Sequence, residues 1–446
     1  MSDTATPSAL GTLDIKKLLI RYALPSIVAM TAASLYNMVD SMFIGHGVGA
    51  GGLTGLSLTL PLMNITSAFG SLVGIGGATL MSVKLGQNDY GKARLILGNV
   101  VIMNLIVGAL LTTLALLFLD RILYLFGASE ETISYARDYM RIILGGNIIT
   151  ASFLGLIEMS RSTGHPTKAM IAILIAVSLN SLLDYIFIFH CSMGIKGAAF
   201  ATVAAQAVSL VFVAWQFFRK KSYIRFERDI FRIEGRIVKD MLAIGLSPFL
   251  MNICASGIVA LINLSLKEHG GDIAIGAYGI VNRYFLLFVM INMGFNQGMQ
   301  PIAGYNYGAG KYDRLRRVFK YTVLCAVTTS TVGFLLGQLC PGVITRMFTT
   351  NRELTDMAER GLHLVLILFP FVGYQMVSTN FFQSIGMAKK SIFLALSRQL
   401  LFLVPFLIVM PRLLGTDGVW LSIPMADFVA IIVTTVMLRR ELKKMR

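Results

Sequence analysis

The sequence predicts an all-α polytopic membrane protein, with twelve transmembrane helices in two pseudo-symmetric six-helix bundles. Three observations lead there. The chain is 55% hydrophobic and only 14% charged, with a mean hydropathy of +0.71, whereas an ordinary soluble domain is about 25% charged. Apolar runs recur along its whole length, and about 20 such residues cross a bilayer as a helix. Signals in the first half of the sequence also return in the second half at a nearly constant offset.

Taken in order, the first six spans cover about 18–45, 53–83, 95–119, 136–160, 168–190 and 194–218. The other six cover about 240–266, 273–304, 315–339, 356–385, 390–411 and 416–439. Several exceed the length needed to cross, which calls for tilt, kinks or protrusion. The segment before span 1 has no compact apolar region followed by a small-residue cleavage site, so span 1 is expected to be retained.

The net charge of +16 raises the question of nucleic acid, and the placement of the cations answers it. They collect in alternate loops: Lys16, Lys17 and Arg21 before span 1, then Lys84, Lys92 and Arg94, then Arg161 and Lys168. Eight more lie between spans 6 and 7, five follow span 8, Lys389 and Lys390 follow span 10, and LRRELKKMR closes the chain. That places 28 of the 39 Lys and Arg on one side and nine in the opposite loops. The bias predicts a multi-pass membrane protein with both termini in the cytoplasm. No single basic face with base-reading chemistry accompanies it, so nucleic acid is not an expected partner. The four cysteines have no paired spacing and signal neither a disulfide framework nor a metal site.

The halves echo each other. KLGQNDYGKAR at 84–94 returns as NYGAGKYDRLR at 306–316, and RSTGHPTKAM at 161–170 returns as QSIGMAKKSI at 383–392, both 222 residues on. Pro25 and Pro248 lie near the two starts. Six spans per half give both halves the same orientation, as parallel repeats. The expected organisation is an N-terminal lobe at 1–218, a basic linker at 219–239 and a C-terminal lobe at 240–446. Twin bundles of this sort suit a carrier, but architecture alone does not say what is carried.

Polar residues within the spans do say something, because a charge at the bilayer centre costs at least ~2.5–3.5 kcal/mol. Asp40 in span 1 and Asp184 in span 5 each fall roughly 8–9 Å inside the same boundary at ~1.5 Å per residue. Asn180 is one helical turn from Asp184, and Thr202 of span 6 lies ~12 Å in. Two acids, an amide and a hydroxyl from three helices can therefore share one level. Hard oxygen ligands with negative charge suit a sodium ion, and paired carboxyls suit a proton. Tyr36 and Asn37, beside Asp40 on span 1, are candidate substrate contacts, as are Met30, Gln206 and Arg283. In the second half, Arg398 of span 11 and Asp427 of span 12 are expected to pair.

These residues carry a family resemblance. YNMVDSMFIGH in span 1, LGQNDYGKAR after span 2, RSTGHPTKAM after span 4, NSLLDYIFIFHCSMGIKGAAFATVAAQ across spans 5 and 6 and QGMQPIAGYNYGAGKYDR after span 8 resemble the multidrug and toxic compound extrusion (MATE) family, in its bacterial MepA-like and DinF-like branches. The resemblance covers about residues 14–440. It implies a MATE-like fold of two six-helix lobes and export of amphipathic, cationic drugs against proton or sodium entry. It also implies that Asp40, Asn180, Asp184 and Thr202 form the cation or proton site. Another branch has acidic sodium ligands in the seventh and tenth helices, and this sequence has no evident acid in either. No cofactor beyond the coupling ion is expected, and the partners are small amphipathic molecules and membrane lipids around a monomer. A lipid-linked precursor flippase is the alternative. Enzyme chemistry is not expected, since the chain shows no metal-ligand His cluster, nucleophile elbow or phosphate-binding loop.

Overall fold

The computed structural model describes residues 9–219, 223–349 and 351–445, with the side chains at 37, 38, 50, 53 and 228 outside that description. Among the described residues, ten helices are long and apolar enough to cross a membrane. In the first half these are α1 (Ile15–Gly47), α2 (Ala50–Gly86), α3 (Tyr90–Leu117), α5 (Pro166–His190) and α6 (Gly194–Phe218). Between α3 and α5, Ile133–Gly145 and Asn147–Ser162 form one bent span, α4, with an angle of 54° at Gly146. In the second half a continuous helical segment, Gly235–Gly308, breaks at Gly271 (φ 67°, ψ −164°) into α7 (235–270) and α8 (272–308). Then follow α9 (Tyr312–Leu339), α10 (Arg352–Ser384), α11 (Ala388–Leu414) and α12 (Thr416–Lys444). The bent pair and the division at Gly271 bring the described spans to the expected twelve, all helical.

Local chemistry sets the ends. The Asp89 carboxylate accepts from the Lys92 N–H and starts α3, and Asn351 does the same for α10 through the Leu354 N–H. Pro166 opens α5 at a position where no amide donor is needed. The duplication is written into the backbone as well. Left-handed residues recur in register at Gly49 and Gly271, Asn88 and Gly310, and Gly164 and Gly386, each pair 222 residues apart.

The chain divides into two compact units. Unit 1 contains Val28–Phe249 and the short helix Ala9–Thr12 before it. Its core joins Ile44 of α1, Leu62 of α2, Tyr139 and Met140 of α4 and Ala198 of α6. The first fifteen residues of α7, 235–249, belong to this unit and lie against α2. There a Cβ on Gly76 would fall 2.0 Å from the Met241 carbonyl oxygen, and one on Gly245 would fall 1.8 Å from that of Leu72. Two backbones thus touch where no side chain fits. The linker also packs in unit 1. The Asn99 amide donates to the Arg232 carbonyl (3.0 Å) and its oxygen accepts from the Glu234 N–H (3.1 Å). Glu227 accepts from Arg225 and Arg94, and the Arg225 hydrogen bond holds the Glu227 carboxyl below its ordinary pKa.

Unit 2 contains Leu250–Arg446 and the N-terminal arm of α1, Asp14–Ile27. Tyr284, Phe288, Phe369 and Trp420 anchor its core. The α1 arm lies on α8 by the same device as in unit 1. A Cβ on Gly298 would meet the Ala23 nitrogen at 2.6 Å, and one on Gly294 would meet the Ile27 Cα at 2.8 Å. Gly298 and Gly76 are again 222 residues apart. Pro25 and Pro248 each sit within two residues of the point where their helix passes from one unit to the other. A helical proline removes one amide donor from the ladder just there.

Candidate functional site

The sequence of α6 explains why three polar residues can meet. Gly197, Ala198, Ala201 and Ala205 form a buried small-residue stripe, which lets α5 approach closely. The approach brings Asn180 of α5 onto Thr202 of α6. Asn180 and Asp184 are one turn apart on α5, and both are buried. Immediately beyond Asp184 the helix widens into a π-helical turn at Ile186–His190, a distortion that recurs at functional sites.

The side chains form one network within unit 1. The Asn180 amide lies 3.2 Å from Thr202 Oγ1. Oriented to satisfy both ends, it donates to Tyr36 Oη at 2.9 Å and to Asp184 Oδ2 at 3.0 Å, and its oxygen takes the Thr202 side. Tyr36 Oη also lies 3.4 Å from Thr202 Oγ1, and Thr202 donates to the Ala198 carbonyl at 3.0 Å. Asp40, one turn from Tyr36 on α1, lies beside Asp184, so the two carboxyls interact. A carboxyl–carboxyl hydrogen bond needs one proton between the two groups, since ionised carboxylates only accept. One oxygen on each acid, Oδ1 of Asp40 and Oδ1 of Asp184, is buried without a partner among the described residues.

Asp40, Asn180, Asp184, Thr202 and Tyr36 therefore lie together. Tyr139 of α4 joins them: it is fully buried beside Thr202, Asp40 and Asp184. Sequence reading missed it. The available signal was a phenol within the buried stripe Ile133, Ala136, Met140 and Ile143, where a hydroxyl must find a partner. Gln206 lies one turn beyond Thr202, and its oxygen accepts from Thr150 Oγ1 of α4 at 2.5 Å. Met30 is half-buried on α1. The Asn37 side chain lies outside the described residues. Arg283 belongs to unit 2, where its side chain is exposed.

Chemically, the cluster offers two carboxyls, an amide oxygen and hydroxyl oxygens in a buried setting. Such a donor set takes a hard monovalent cation or a proton. Among the described residues no group of three His, Cys, Asp or Glu side chains converges as a metal site. The expected pair in unit 2 is also present, with Arg398 Nε donating to Asp427 Oδ1 at 2.6 Å.

The MatE family model matches the chain twice, over residues 25–186 and 248–409. The chain is 27% identical to the multidrug export protein MepA of Staphylococcus haemolyticus, covering 93% of this chain and 91% of that one. The solved structure of MATE in the bent conformation superposes with a TM-score of 0.94 at 24% identity, covering 100% of this chain and 99% of that one. MATE in the straight conformation gives 0.92 at 25% identity over the same shares. Two matches of equal length, 223 residues apart, reproduce the internal repeat and together cover well over half of the sequence. The chain belongs to the MatE family, and is a multi-pass secondary transporter rather than an enzyme.

Proposed function

We propose that this protein exports amphipathic, cationic compounds in exchange for an entering proton or sodium ion, by alternating access. The observation that carries the reading is the buried pair Asp40 and Asp184, with an oxygen on each acid that has no partner among the described residues. Buried acids with open valences cost free energy unless a cation or proton fills them. Tyr36 lies one turn from Asp40 and bonds to Asn180 and Thr202, so a ligand at the acids acts on the α1 face that would meet substrate. Met30, Asn37 and Gln206 are the other substrate contacts proposed in unit 1, and Arg283 is proposed by itself in unit 2. Coupling requires ion and substrate to favour different conformations. A flippase for a pyrophosphate-linked lipid would want cations where this cluster has acids. The protein is read as a monomer of the bacterial inner membrane that needs no cofactor and no nucleic acid.

The reading is tested in proteoliposomes loaded with a cationic dye, with a proton gradient or a sodium gradient imposed separately. At least one gradient is expected to drive dye movement, and the ion that does so is the coupling ion. Dye movement that answers to neither would overturn the proposal.

Orientation is tested separately. With both termini cytoplasmic, native Cys191 and Cys340, both exposed, fall on the outer side. An impermeant maleimide added to intact cells is expected to label them. A cysteine placed at exposed Lys389, in a background lacking the native four, should react only after the membrane is opened. Labelling of that site in intact cells would reverse the orientation.

A further inference from the structure

Unit 2 holds a cavity of about 330 Å³ between α7, α8, α10, α11 and α12, within the size range of small-molecule pockets (~300–1,000 Å³). Its walls are mostly apolar, with Ile258, Ile262, Phe285 and Leu403 among them. Ser256, Tyr278 and Asn282 interrupt the apolar lining, as do the charged Arg398 and Asp427 and the neighbouring amide Gln399. Local structure places Arg398 and Gln399 there. Residues Ser397–Leu403 of α11 form a π-helical stretch, and Pro405 just beyond it cannot donate to the Leu401 carbonyl. The widened turn is the stretch that carries Arg398 and Gln399 to the cavity wall.

The ion pair is lopsided. The Asp427 side chain is 4% exposed and already accepts from Arg398 Nε, whereas Arg398 is 24% exposed. Among the described residues Nε is the engaged guanidinium nitrogen. The terminal N–H groups are thus left as donors in an apolar pocket. A cation entering the cavity would find the carboxylate covered and the guanidinium open. An acceptor entering it would find donors available on that guanidinium. Arg presents its terminal N–H groups as a planar fork that matches a carboxylate, and charge-assisted bonds are roughly twice as strong as neutral ones. Asp427 holds that fork in place from the other edge.

We infer that the unit 2 cavity is a binding site for amphipathic monocarboxylates, with the carboxylate on the Arg398 fork and the apolar body against α7 and α8. The site differs in charge preference from the acidic cluster of unit 1 and does not rest on the coupling role of Asp40 or Asp184.

The test uses the purified full chain in nanodiscs and a photoreactive probe, a trifluoromethyl-diazirinyl benzoate, alongside its primary carboxamide. The carboxylate is expected to label peptides covering 255–262 or 278–286 saturably. Half-saturation should come at a concentration at least about tenfold lower than for the carboxamide. Arg398→Gln alone leaves a buried acid unpaired and risks misfolding. The double variant Arg398→Gln, Asp427→Asn keeps a neutral hydrogen-bonding pair, and should lose carboxylate labelling by tenfold or more while keeping the wild-type melting temperature. Arg398→Lys keeps the charge without the fork and should fall between them. Equal labelling by acid and amide, labelling undiminished in the double variant, or unsaturable labelling spread over the helices would each overturn the assignment.

Discussion

Asp40→Asn and Asp184→Asn are each expected to lower gradient-driven export about tenfold or more, a barrier change of ~1.4 kcal/mol or more, while the protein stays folded. The amide keeps the size of the carboxyl and most of its hydrogen-bonding reach, but cannot exchange a proton or hold a cation by charge. Removing a buried acid also removes a desolvation cost, so the melting temperature should stay level or rise. This combination separates a coupling role from a structural one, because loss of a structural acid lowers stability and transport together. The two acids are buried neighbours, so the double variant should be little worse than either single one. Initial rates of dye export in proteoliposomes, at matched protein content, make the measurement. Wild-type rates in both single variants would remove the dyad from the mechanism.

The second large effect is structural. Gly245→Ala and Gly76→Ala should each destabilise the protein by about 3 kcal/mol or more, the upper end of overpacking costs. At both positions the added carbon would meet a backbone carbonyl oxygen of the facing helix, at 1.8 Å and 2.0 Å. A side chain in the way could change rotamer, but a carbonyl within a helical ladder cannot move without its helix. Gly257 is the control: it is exposed within α7, and a Cβ added there would have nothing within 4 Å. Alanine there should be neutral or stabilise by up to ~1 kcal/mol. The apparent melting temperature and the monodisperse fraction in detergent read out all three. A Gly245→Ala protein that melts with the wild type would show that α2 and α7 are not in backbone contact.

Much of this was legible in the sequence because the bilayer makes unusually strict demands. Apolar length located the spans, and the cost of polar groups at depth singled out Asp40, Asn180, Asp184 and Thr202, which do lie together. Arg398 and Asp427 were paired on the same reasoning and are bonded. Other features have no local signature. The span read as continuous over 136–160 bends by 54° at Gly146, since hydropathy reports thickness rather than direction. Tyr139 was one phenol among fifteen, distinguished only by what packs over it. The π-helical turns at Ile186–His190 and Ser397–Leu403 keep the apolar pattern of an α-helix. The assignment of residues 14–27 to unit 2 and of 235–249 to unit 1 depends on packing across hundreds of residues, which no periodicity encodes.

That assignment bears on how the protein is made. The N-terminal arm of α1, Asp14–Ile27, is synthesised well before α8, yet its seat there includes Gly294 and Gly298. At ~5–20 residues per second, ribosomes need roughly 15–55 s to pass from Ile27 to Gly298. Through that interval the arm lacks its seat on α8, and unit 1 likewise waits for residues 235–249 to pack against α2. The order of synthesis is therefore not the order of assembly. α1 finishes packing only after α8 exists, and a chain cut at the linker would leave each half without the segment that closes it.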